Sequence, residues 1–122
     1  MTTEPRTVTL PTEDHGNVTL PEPSWCAGHR NPQPQHRADL THYGPEHRLT
    51  FNGSELFRLM LTQSPLAERA SRDVGAYVEQ SDYTGSLDPA SLYDLAAALD
   101  TAADHMRVFA DQLASLVNGG AE

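Results

Sequence analysis

Cys26 and five of the six histidines fall between residues 15 and 47, in the order His15, Cys26, His29, His36, His42, His47. Thiolate sulfur and imidazole nitrogen are the donors that suit zinc. In Cys26-Ala27-Gly28-His29 two residues separate the thiol from the first imidazole, the gap of a metal knuckle. Gly28 permits the tight turn that aims both side chains at one point. Twelve residues separate His29 from His42, and four separate His42 from His47. The pattern C-x2-H-x12-H-x4-H is that of a zinc finger with one cysteine exchanged. A finger needs its last two imidazoles on one helix, however, and Gly44-Pro45 stands between them. Spacing therefore predicts Cys26, His29 and His42 as ligands, with His47, His36 or His15 in the fourth position.

The competing reading is plain: histidines in a Pro-rich loop are often solvated polar residues, and a lone thiol is often a small core hydrophobe. Cys26 as a nucleophile would need an oriented base and an oxyanion site. Metal-assisted hydrolysis would need a base placed as in H-E-x-x-H. The sequence contains neither pattern, and no phosphate loop, dinucleotide fingerprint or Ser-centred elbow.

The elements around these residues must position them. Thr7–Leu10 and Asn17–Leu20 alternate β-branched and other residues, and Asp14-His15-Gly16 lies in the turn between them, so residues 7–20 read as a hairpin. Residues 21–46 hold five prolines and few aliphatics. A loop this long in a compact domain needs something other than an apolar core to order it. Residues 47–80 read as strands, with Asn52-Gly53 as a hairpin turn. The period of residues 54–62 fits both strand and helix; their short length favours strand. Residues 88–117 read as a helix, with Asp88 as N-cap and Pro89 in the first position. Leu92, Leu95, Leu99, Ala102, Met106, Phe109, Leu113 and Leu116 recur at three- and four-residue steps. At 1.5 Å per residue such a helix is roughly 43 Å long, more than a small sheet covers. Its stripe is expected to meet a second copy or another protein. Residues 1–6 and 118–122 read as tails.

The 122 residues suit one small domain. Eight arginines and no lysine face 17 acidic residues, a net charge of −9. That balance disfavours nucleic acid and anionic membranes as partners, because both attract clustered bases. No apolar stretch approaches the roughly 20 residues of a membrane span. Neither a secretory leader pattern nor a second cysteine is visible, so a cytoplasmic location is expected.

With the motifs Val8–Val18 (containing Asp14-His15-Gly16), Pro23–His29 and Asp39–Gly44, and the closing helix Asp88–Leu116, the chain resembles a family of small uncharacterised actinobacterial proteins, a domain of unknown function. The resemblance implies no activity. It singles out His15, Cys26, His29 and His42, and so favours His15 over His47 and His36 as the fourth ligand.

The expected fold is α+β: an antiparallel sheet of three to five strands packed by one long C-terminal helix, with a Pro-rich Cys/His loop pinned by zinc. The expected function is that of a non-enzymatic accessory or regulatory protein acting by protein–protein contact. The alternatives are a metal-dependent hydrolase using the Cys/His cluster and a nucleic-acid-associated regulator of a mobile element using Arg30, Arg37 and Arg48.

Overall fold

The computed structural model describes residues 6–119; most of the tail expected at 1–6, and residues 120–122 of the other, lie outside the described residues. The architecture is α+β, with a two-stranded and a four-stranded antiparallel sheet and one long C-terminal helix. The described residues form two compact units, 6–45 with 61–75 and 46–60 with 76–119.

In the first unit, β1 (Arg6–Pro11) pairs antiparallel with β2 (Asn17–Glu22), from Arg6 opposite Glu22 to Pro11 opposite Asn17. Alternation puts Val8, Leu10, Val18 and Leu20 on one face. There Leu10 and Leu20 are buried with Leu40 and flanked by Leu66. On the other face the Thr9 and Thr19 hydroxyls share a 2.6 Å hydrogen bond. The turn is tied by the Thr12 hydroxyl, which donates to the Gly16 carbonyl (2.6 Å) and accepts from the His15 amide (2.8 Å). Gly16 has φ 63°, a left-handed conformation that glycine enters without a Cβ clash.

The Pro-rich loop is ordered by backbone bonds as well as by one leucine. The Glu13 amide donates to the Gln35 carbonyl (2.8 Å), and the Asp14 carboxylate accepts from the Arg37 amide (2.9 Å). A single 3-10 turn, Arg37–Asp39, then delivers Leu40 into the hairpin core. Beyond it β3 (His42–Tyr43) pairs with residues 62–63 of β5 (Ser54–Gln63). The return of the chain is fixed by the Ala27 amide on the Tyr43 carbonyl and the Gly44 amide on the Leu61 carbonyl, both 2.8 Å.

In the second unit, β4 (His47–Phe51) and residues 54–59 of β5 form a hairpin around Asn52-Gly53, whose φ values of 51° and 79° are those the tight turn requires. The stretch 54–62 is thus strand. β6 (Gly75–Gln80) also pairs with β5. Arg58 bridges Glu46 (3.2 Å) and Glu79 across these strands. Helix α1 (Pro89–Gly119) starts where the Asp88 carboxylate accepts from the Ser91 amide (2.8 Å). Ala102 and Phe109 are its buried residues, and the Phe109 ring meets His47 edge-on at 5.4 Å. Among the described residues no helix is long and apolar enough to cross a membrane.

Leu40 joins the Pro-rich loop to the hairpin core, so Leu40→Ala is expected to lower stability by about 2–5 kcal/mol. Urea unfolding followed by circular dichroism measures this. A loss below about 1 kcal/mol would mean that the loop is not anchored there.

Candidate metal centre

The site is built at the open end of the β1–β2 hairpin. Glu22 closes β2, and Pro23 begins the turn that carries Cys26. The Cys26 amide donates to the Pro23 carbonyl (3.0 Å), which folds the thiol back towards Glu22. Gly28 follows with φ 99°, the left-handed conformation expected of it, and its amide donates to Cys26 Sγ at 3.4 Å. His29 then turns back onto the thiol. His42 arrives from β3, and its ring meets Trp25 edge-on at 6.5 Å. Trp25 can sit there because Gly44 has no side chain: a Cβ at Gly44 would lie 3.3 Å from the Trp25 carbonyl oxygen and 3.5 Å from its ring.

Glu22, Cys26, His29 and His42 each offer one donor atom, and the four atoms lie within 4.8 Å of one another. His29 Nε2 is 3.2 Å from Glu22 Oε1, 3.3 Å from His42 Nδ1 and 3.6 Å from Cys26 Sγ; Cys26 Sγ is also 3.6 Å from Glu22 Oε1. Tetrahedral zinc with bonds of about 2.0–2.3 Å requires neighbouring ligands roughly 3.3–3.8 Å apart. Four of the six separations, 3.2–3.6 Å, are close to the edges of that tetrahedron, and the other two are no more than 4.8 Å.

Proton counting points the same way. A ring nitrogen either donates one hydrogen bond or accepts through one lone pair. His29 Nε2 has three electron-rich atoms around it and can satisfy one of them. A cation at the centre would satisfy all four donors together. The surroundings are dry: His42 is 1% exposed, and the His29 and Glu22 side chains are 14% and 12% exposed. The second His42 nitrogen, Nε2, is buried with no hydrogen-bond partner. The nearby Pro21 carbonyl favours the charged ring without closing a bond on Nε2. A ligand on Nδ1 would fix the tautomer with its proton on Nε2. Arg6 holds the far side of the carboxylate, 3.9 Å from Glu22 Oε2, leaving Oε1 to the cluster.

Burial chiefly sets the protonation states. It pushes the Cys26 thiol above its ordinary value, opposed by the Gly28 amide and reinforced by the Glu22 carboxylate. It holds His42 below its ordinary value, helped by His29, while Glu22 pulls the other way. At neutral pH the metal-free site therefore carries a protonated thiol and a neutral His42.

Of the residues expected from the sequence, Cys26, His29 and His42 converge. The fourth member of the cluster is Glu22, where the sequence favoured His15. His15 sits in the hairpin turn, 3.2 Å from Asp14 and mostly exposed. The turn and Glu22 are at opposite ends of strands six residues long, about 17 Å apart at 3.3 Å per residue. His36 pairs with Glu13 on the surface (3.4 Å). His47 belongs to the second unit, beside Phe109. Arg48, one of the three bases considered for nucleic acid, is paired with Glu46 (2.9 Å) and Glu55 (3.6 Å). Glu22 lies outside the Cys/His spacing pattern, which contains sulfur and imidazole donors alone. Its sequence signal is its place: a carboxylate four residues before the thiol, just ahead of Pro23, where the turn begins.

Residues 7–115 match the family model of a domain of unknown function (DUF6907), and the chain belongs to that family. No curated protein and no solved structure matches it.

Two outcomes follow for purified protein titrated with zinc. Glu22→Ala weakens binding about tenfold or more, whereas His15→Ala leaves it unchanged; the reverse result would restore His15 as the ligand. Uptake must displace the thiol proton, so affinity falls as pH drops, by about tenfold per pH unit for one proton released. Calorimetry in buffers of different ionisation enthalpy reads that proton directly.

Proposed function

We propose that this member of the family is a zinc-stabilised protein that works by contact with other protein surfaces rather than by catalysis. The observation that carries the reading is the completeness of the donor set: one thiol, two imidazoles and one carboxylate, gathered within 4.8 Å of one another and largely withdrawn from solvent. Catalytic zinc sites keep one position open to water or substrate, whereas structural sites fill all four. Sulfur together with imidazole favours zinc over magnesium or calcium, which prefer oxygen. The metal would join the end of the hairpin (Glu22) to the knuckle (Cys26, His29) and to β3 (His42). It thereby closes a segment that otherwise has Leu40 and a few backbone bonds to hold it.

Contact is the second half of the proposal. Leu92, Leu99 and Val117 on α1 are each at least 44% exposed and share one face of the helix, an apolar strip along it. The thiol-based site suits a reducing compartment, consistent with a cytoplasmic protein.

Elemental analysis of tag-free protein is expected to give one zinc per chain, and none for Cys26→Ser with His42→Ala. At free zinc about a thousand times Kd the bound metal adds ~4 kcal/mol, so a chelator should lower Tm by about 10 °C or more. No stoichiometric zinc, with a Tm indifferent to chelator, would end the proposal.

A further inference from the structure

Helix α1 carries two adjacent apolar rows with different surroundings. One row, Leu95, Ala102, Phe109 and Leu116, is buried or half-buried within the chain. About a quarter turn away lies a heptad seam that is exposed at Leu92, Ala96, Leu99, Ala110 and Val117 and half-buried at Ala103, Met106 and Leu113. Its large positions are Leu92, Leu99, Met106 and Leu113, spaced by seven. Its small positions are Ala96, Ala103, Ala110 and Val117, also spaced by seven. Leu92 is 58% exposed, Leu99 44% and Val117 45%, and Ala96 and Ala110 are exposed. The covered row has the same seven-residue spacing, so it is exposure that sets the seam apart, and a seven-residue repeat is a geometry by which two helices pair.

We infer that this seam pairs with α1 of a second copy of the chain, antiparallel about a two-fold axis level with Asp104 and His105, midway between Ala103 and Met106. The inference rests on the contact reading above and names its partner. Two features select the second copy and the direction. The first is size. In an antiparallel pair Ala96 meets Leu113 of the second copy, Ala103 meets Met106, Ala110 meets Leu99, and Val117 meets Leu92. Nearly every layer then combines one small and one large side chain. A parallel pair would stack alanine on alanine in three layers and leave gaps that cost stability. The second feature is charge. The row flanking the small positions contains Asp100 and Arg107, both exposed. The same antiparallel register sets Asp100 opposite Arg107 of the second copy, and two-fold symmetry makes the pair twice. A purely basic partner would meet Arg107 at the middle of the seam. Arg107 already binds Asp104 in its own helix at 2.8 Å, in an exposed pair, and its guanidinium has donors to spare for a second carboxylate.

The covered row and the seam point in different directions, so each helix can keep its own packing while it pairs with the other. The remaining helix aspartates, Asp94, Asp104 and Asp111, fall outside the seam.

The test is sedimentation equilibrium of the full zinc-loaded chain at about 100 μM, in the wild type and in two charge variants. The wild type is expected to be a dimer. Asp100→Arg sets Arg against Arg107, and Arg107→Asp sets Asp against Asp100, so each alone should weaken association about tenfold. An equimolar mixture of the two variants restores both pairs and should form a heterodimer of wild-type strength. Both sites are exposed, so folding is not at risk. A dimer that ignores both substitutions, or a mixture that is not rescued, would overturn the antiparallel register. A monomer at all concentrations would overturn the second copy but leave the contact reading standing. That reading falls separately if Leu99→Asp leaves unchanged the set of proteins to which the chain cross-links in its host.

Discussion

Four donor atoms crowd within 4.8 Å of one another, and the first unit of the chain brings three separate segments together to place them. A carboxylate oxygen, a thiol and two ring nitrogens, with four of their six separations at 3.2–3.6 Å, make poor mutual hydrogen-bond partners. Each has been partly removed from water, and burying polar groups without adequate partners is costly. A divalent cation would turn the same crowding into a favourable interaction. Filled in that way, the cluster would hold a stretch carrying five prolines without a larger apolar core.

The supporting structure is economical in a physical sense. One strand end supplies Glu22, one glycine-assisted turn supplies Cys26 and His29, and a two-residue strand supplies His42. Arg6 orients the carboxylate from behind, and the Gly28 amide meets the sulfur from the front. Trp25 walls off His42, and it fits because Gly44 leaves room. Leu40 and the Asp14–Arg37 bond fix the far end of the loop independently of the cluster. The metal-free chain would thus keep some order, with the donor atoms near their final places.

Much of the fold was legible because local chemistry and tertiary structure agree. The V-T-L repeats alternate as hairpin strands do, Asn52-Gly53 supplies the positive φ values of its turn, and Asp88-Pro89 starts the helix. The knuckle was legible for the same reason, since C-x2-H with glycine between is a local signal. The fourth donor was not. Whether His15 or Glu22 joins the thiol depends on which end of a hairpin faces the returning loop, and spacing does not contain that information. The burial of β5 was only half legible. Leu56, Leu59 and Met60 are all buried, so strict alternation fails along this strand.

The most direct test of the account is X-ray absorption at the zinc edge on metal-loaded protein. The account predicts four-coordinate zinc with one sulfur at about 2.3 Å and three nitrogen or oxygen ligands at about 2.0–2.1 Å. A shell without sulfur, or one of six oxygen and nitrogen ligands, would contradict it.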